Sequence, residues 1–236
     1  MNPALAITKL HLNLRRMTFV VPLSITALVT LISVLISFLF WRGGSIPGST
    51  EWIAGSRANP VLVYAFSGFM GWFGVLTVST RFPFALSLGS TRKGFTFGTL
   101  LWQVVISLYV TAVFAVLMLI EVATGHWFSN FYIFDNYFLG AGNLGQLVLN
   151  VFLGMMVVLS VGGVFAASWV RFATRGPQLL AGGLAVVLLV ALLVILQSVS
   201  SILAAFQLWW LGVTALVTIA ISSLGTWAFL RTATVR

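Results

Sequence analysis

Cysteine is absent from the chain, which excludes disulfides, thiol catalysis and cysteine-based metal sites. Charge is almost absent too: 6% of the 236 residues are charged, against 60% hydrophobic. A soluble domain carries roughly a quarter charged residues, so this chain cannot cover itself with a water-soluble surface. The solvent for most of it is lipid.

Acids are the scarcest charge, with three (Glu51, Glu121, Asp135) against 12 Lys and Arg and a net charge of +9. They fall in separate segments outside the apolar runs, so no segment offers paired carboxylates for acid–base work. The two histidines, His11 and His126, are expected one near each surface. Neither a Ser-His pair inside the membrane nor a His-Glu-x-x-His zinc motif is available. No ionisable residue lies well inside an apolar run. This argues against a proton- or ion-coupled carrier, except for sodium sites built from carbonyls and hydroxyls. No loop reads as a channel filter. No G-x-x-x-x-G-K-[ST] loop occurs either, since Gly89-Ser90-Thr91-Arg92-Lys93-Gly94 has neither the spacing nor the following hydroxyl. We therefore expect a protein that is not an enzyme and does not hydrolyse ATP itself.

The apolar runs divide the chain into a single transmembrane domain, residues 1–236, with spans at about 18–41, 60–80, 99–120, 144–170, 179–196 and 208–230. The first run is too long for a signal-peptide core and no small-x-small cleavage site follows it, so it reads as a retained span. Met1 to Met17 is basic. Leu5, Leu12 and Phe19 fall near one helical stripe with Lys9, Arg15 and Arg16 off it, which predicts an N-terminal interfacial helix. The uncharged stretch from Gln178 to Leu230 would be roughly 80 Å long as one helix, so it must fold back, and Gln197-Ser198-Val199-Ser200-Ser201 is the polar break. Small residues in two spans (Gly68 and Gly71; Gly162, Gly163 and Ala166) predict close helix packing. The aromatic segment between Glu121 and Asn143 reads as an interfacial belt.

Basic residues segregate by side. Lys9, Arg15, Arg16, Arg81, Arg92, Lys93, Arg171, Arg175, Arg231 and Arg236 share one side, whereas Arg42, Arg57 and all three acids share the other. This asymmetry predicts two cytoplasmic termini. It also explains the net charge as an orientation signal, so no nucleic-acid partner is expected.

One stretch keeps apolar residues outside the spans. Arg81 to Gly98 holds Phe82, Phe84, Leu86, Leu88, Phe95 and Phe97, with Pro83 and Gly89 placed to start and stop a short helix. Apolar knobs beside Arg92 and Lys93 suit a groove on another protein. The pattern Arg81-Phe82-Pro83-x-x-Leu86-x-Leu88-Gly89-x-Thr91-Arg92-Lys93-x-Phe95-x-x-Gly98 resembles the cytoplasmic loop between the second and third spans of bacterial type 2 ABC transporter permeases. The six-span layout, cytoplasmic ends and leading interfacial helix extend the resemblance over most of the chain. The connection between the last two spans is a short turn, where larger members of that family carry a long outer segment.

The resemblance implies an all-α polytopic membrane protein of the bacterial plasma membrane, with a cytoplasmic coupling helix between spans two and three. It implies a permease subunit that forms a translocation pathway and exports a hydrophobic or amphipathic substrate such as a drug, peptide or lipid. A separate ATP-binding cassette ATPase would dock on Arg81, Pro83, Phe84, Leu88, Gly89, Arg92 and Lys93. ATP and Mg would belong to that ATPase, with no cofactor in this chain. The other partners would be a second permease, identical or related, and the lipid bilayer. Two alternatives belong to other classes: a non-transporting scaffold or substrate-binding component of an importer, and a lipid enzyme within the membrane, for which no catalytic constellation is present.

Overall fold

The computed structural model of the protein describes residues 2–196 and 207–233, with Phe128 described through its backbone only. The polar break at Gln197–Ser201 and the terminal Arg236 lie outside the described residues. Among those described, the chain is helical with no strand, and six helical runs are long and apolar enough to cross a membrane. The helices are α1 (Pro3–Leu12), α2 (Val21–Arg42), α3 (Thr50–Arg57), α4 (Val61–Ser79), α5 (Arg81–Ser87), α6 (Arg92–Ala123), α7 (Leu144–Phe172), α8 (Arg175–Leu196) and α9 (Trp209–Leu230). Five-residue π-helical turns precede α2, at Arg16–Val20, and follow α6, at His126–Asn130.

Burial is inverted relative to a water-soluble protein. The buried face of α2 carries Pro22, Thr26, Val29, Ser33 and Ser37, while Leu28, Leu31, Leu35 and Leu39 point outward. Thr77, Ser107, Thr111 and Thr226 are likewise buried. Several of these hydroxyls donate to a carbonyl one turn back: Thr26 to Pro22 at 2.9 Å, Thr77 to Phe73 at 2.7 Å and Thr111 to Ser107 at 2.7 Å. These three hydroxyls are thereby satisfied without water, whereas the Ser107 hydroxyl has no partner among the described residues. α8 is the extreme case, since of its residues only Gly176 is buried. Apolar side chains in contact with the surroundings over such lengths fit a multi-pass membrane protein.

The chain forms two compact units. The first comprises residues 1–8, 71–101 and 157–236. Its helices approach through glycine. A Cβ on Gly74 would come within 2.6 Å of the Leu159 carbonyl oxygen, and one on Gly162 would collide with that of Gly71. α1 sits on α6 in the same way, because a Cβ on Gly98 would lie 2.5 Å from the Ala4 carbonyl oxygen. The Thr8 hydroxyl donates to the Gly98 carbonyl at 3.0 Å and seals that contact. α7 turns into α8 through Ala173, whose φ is 52°, with Gly176 pressed against the Ser168 carbonyl. Gly163 and Ala166 are buried as well.

The second unit comprises residues 9–70 and 102–156. Its core is aromatic: Phe66 meets Phe114 edge-on at 4.9 Å, and Phe114 meets Phe134 at 5.4 Å. His11 is buried against the Trp102 ring at 5.3 Å. α3 forms where the sequence suggests only a loop; the Ser49 hydroxyl accepts from the Trp52 amide and caps it.

α1 turns Ile7, Thr8 and His11 inward, whereas Leu5 is exposed; an outward apolar residue is what an interfacial helix presents to lipid. The inward face is the one that meets Gly98 of α6 through Ala4 and Ile7. The small-residue expectation changes at one position. Gly68 is exposed, and a Cβ there would meet nothing within 4 Å, so it makes no close helix contact among the described residues.

Gly162→Ala should therefore lower the apparent melting temperature in detergent, by the equivalent of about 1–3 kcal/mol. Gly68→Ala should stay within about 0.5 kcal/mol of the parent. Thermal unfolding followed by tryptophan fluorescence compares the two.

Candidate functional site

The segment from α5 to the start of α6 lies in the first unit, and its geometry follows from its turn residues. Thr80 alone separates α4 from α5 and has helical φ and ψ of −91° and −33°. α5 ends in a Schellman motif: the Ser90 amide donates to the Ala85 carbonyl at 3.0 Å and the Gly89 amide to that of Leu86 at 2.9 Å. Gly89 adopts φ +80°, which the motif requires and a Cβ would oppose. α6 then begins on a capping threonine, as the Gly94 amide donates to the Thr91 hydroxyl at 3.0 Å. Both ends of the linker are thus closed by hydrogen bonds.

α5 has two faces. Phe82 and Ala85 are buried, and Phe82 meets Phe95 edge-on at 5.2 Å. Phe84 and Leu88 are 52% and 64% exposed. Pro83 is half-buried in the first turn, and Gly89 is exposed. Arg81 is buried and so is not displayed on the surface of α5. Arg92 is half-buried, and one of its terminal nitrogens donates to the carbonyls of both Leu230 and Ala233 at 2.7 Å. It therefore caps the end of α9, where carbonyls run out of helical amides; the Leu230 carbonyl also accepts from the Ala233 amide at 3.4 Å. Lys93 is exposed. Of the residues expected to dock a partner, Phe84, Leu88 and Lys93 present side chains outward, while Arg81 and Arg92 are engaged within the unit.

The second unit contains a polar centre that the sequence reading places in a surface loop. Glu121, in the last turn of α6, is fully buried. Its Oε1 accepts from the amides of Ile133 at 3.1 Å and Asp135 at 3.3 Å. Its Oε2 accepts from the Phe134 amide at 2.7 Å and the Trp127 indole at 3.0 Å. His126 Nδ1 lies 3.4 Å from Oε1. The carboxylate therefore holds the segment that follows it folded back over the end of its own helix. The fold-back includes left-handed backbone at Gly125, His126 and Trp127, with φ of 66°, 55° and 58°, which is costly for residues with a Cβ.

α3 clamps the same segment. Arg57 pairs with Asp135 at 3.2 Å and lies over the Tyr132 ring at 4.3 Å. The Tyr137 amide donates to the Arg57 carbonyl, and the Trp52 indole donates to the Asn130 carbonyl, both at 3.0 Å. Tyr132 in turn stacks on His126 at 3.8 Å. The aromatic belt expected here is thus divided: Phe131, Tyr132 and Phe134 are buried, whereas Tyr137 and Phe138 are exposed. The sequence signal that could have located this centre is a lone acid closing an apolar run, followed closely by dense aromatics.

Both Glu121 oxygens are committed to the protein, so the residue has no acceptor left for a substrate or ion. No group of three metal-ligating side chains comes together among the described residues. A cavity of about 870 Å³ opens beside this cap, lined by Phe40, Ser45, Glu51, Trp52 and Asn59 among others. No protein-family model, curated protein or solved structure matches the chain.

Glu121→Leu should leave the amides of Ile133, Phe134 and Asp135 buried without acceptors, at about 1–3 kcal/mol each. Hydrogen exchange at these amides should accelerate by at least tenfold, while exchange in the middle of α6 stays slow.

Proposed function

We propose that the protein is the membrane permease subunit of an ATP-driven transporter of the ATP-binding cassette class, in which α5 is the element a separate ATPase grips. The observation that carries this reading is the construction of α5. Two large apolar side chains, Phe84 and Leu88, stand exposed on a short helix whose exit is closed by a Schellman motif and a helix cap. A partner's motion reaches a transmembrane helix only through a rigid connection. α5 has one, since Thr80 alone separates it from α4. Exposed aromatic and aliphatic side chains on a firm base are also what an interface hot spot needs.

In this reading both termini and α5 face the cytoplasm, as the distribution of Arg and Lys favours. Two permeases, identical or related, enclose the pathway, because one chain of six spans is small for that task. The cargo is hydrophobic or amphipathic and leaves the cell. ATP and Mg are bound by the ATPase.

Two experiments test this. A reporter active only outside the cytoplasmic membrane should give signal when fused after Phe40 or Phe138 and none when fused after Arg236; the opposite pattern rejects the topology. Phe84→Ala or Leu88→Asp should reduce co-purification of an ATPase encoded beside this gene at least tenfold, with insertion unchanged, since a docking hot spot is worth roughly 2–5 kcal/mol. Undiminished recovery with both variants rejects α5 as the grip.

A further inference from the structure

A groove between α6 and α9, within the first unit, is graded from charge to hydrocarbon. Its α6 wall is Thr96, Phe97 and Leu100, its α9 wall is Ser223, Leu224 and Trp227, and Lys93 lies at one end. The volume is about 380 Å³ and the surface is nearly all apolar. Arg92, next to Lys93, holds the carbonyls of Leu230 and Ala233, which joins the start of α6 to the end of α9, where Arg231 follows Leu230. Arg231 lies over the Trp227 ring at 5.0 Å and is exposed. Neither cation has an ion pair among the described residues. The stretches that build this unit contain no Asp or Glu at all, so no acidic side chain of the unit competes for them.

One further atom has no use in the fold. The Ser223 hydroxyl is buried and has no hydrogen-bond partner among the described residues. Its neighbour on the same helix behaves differently, since the Thr226 hydroxyl donates to the Ser222 carbonyl one turn back at 2.8 Å; outside this unit the Ser107 and Ser129 hydroxyls are likewise buried without a partner among the described residues. Ser223 lies one helical turn, about 6 Å, from Trp227 and about 12 Å from Arg231 along α9. The groove thus offers two cations, then a lone hydroxyl donor, then an apolar wall.

We propose that this groove binds one anionic phospholipid. The phosphate sits between Lys93 and Arg231, the Ser223 hydroxyl donates to an ester carbonyl of the glycerol region, and an acyl chain lies along Phe97, Leu100 and Leu224. Basic residues at the mouth of a cleft between membrane helices suit an anionic headgroup, and the apolar wall favours a lipid over a free anion. The site shares Lys93 with the docking residues expected from the sequence but involves neither Phe84 nor Leu88, and lipid binding by the purified chain requires no ATPase, so its test is separate from that of the transport reading.

The test uses the full chain purified in detergent and stripped of lipid, with bound phosphatidylglycerol or phosphatidylcholine counted by native mass spectrometry. The wild type should bind one phosphatidylglycerol at a concentration at least tenfold below that needed for phosphatidylcholine. Lys93→Ala should weaken phosphatidylglycerol binding about fivefold, and with Arg231→Ala about 25-fold, whereas Arg175→Ala, an exposed cation away from the groove, should change nothing. Ser223→Ala should weaken both lipids two- to fivefold, and Leu224→Trp, which fills the groove, should abolish the single tight adduct. Equal binding of the two lipids by the wild type overturns the proposal. So does wild-type binding by the folded Lys93→Ala, Arg231→Ala double variant, and so does full displacement of phosphatidylglycerol by millimolar inorganic phosphate, which would mark a simple anion site. Should the double variant fail to fold, the wild-type lipid comparison and Leu224→Trp still decide the matter.

Discussion

The carboxylate of Glu121 carries the part of the protein that helices cannot. A chain solvated by hydrocarbon must satisfy its backbone polar groups internally, and within a helix this happens automatically. Between Ala123 and Leu144, the longest connection between helices among the described residues, it does not. There the amides of Ile133, Phe134 and Asp135 converge on one buried side chain. Once that contact is made, Phe134 can join the Phe66–Phe114 cluster and Asp135 can meet Arg57. α3 and its clamp follow from this placement. A single negative charge thus substitutes for a whole turn of helix as an acceptor of backbone hydrogen bonds.

Elsewhere cohesion comes from close approach. In lipid, apolar side chains gain little by leaving their surroundings for one another, so contact between backbones supplies the attraction. Gly74 against Leu159, Gly162 against Gly71, and Gly98 against Ala4 are places where no methyl group would fit. The hydroxyls on the buried faces add hydrogen bonds without needing water. Large apolar residues are then left for the exterior, the reverse of their use in a soluble core.

Much of this was legible from composition alone. Length and polarity identify the spans because the bilayer sets both, and the limits of α4 and α7 fall within one or two residues of those expected. α5 was legible through Pro83 and Gly89, since both act locally on the backbone. The buried face of α1 was not, because it is selected by glycines on α6, far away in sequence. Arg92 read as a surface cation for the same reason: its partners are carbonyls more than a hundred residues on, and backbone acceptors leave no mark in a sequence. Glu121 misled in the opposite way. Its charge suggests exposure, and only the return of the chain after Ile120 makes burial affordable.

The hold of Arg92 on the end of α9 also bears on how the protein is made. Arg92 is separated from the two carbonyls it caps by 138 and 141 residues. At roughly 5–20 residues per second, a ribosome reaches them about seven to thirty seconds after it has passed Arg92. During that interval α5 and the start of α6 can form, because their turns are local, but the guanidinium has nothing to grip. Maturation of this corner of the fold is therefore timed by the translation of α9, and a chain stalled before that helix would carry an unclasped arginine.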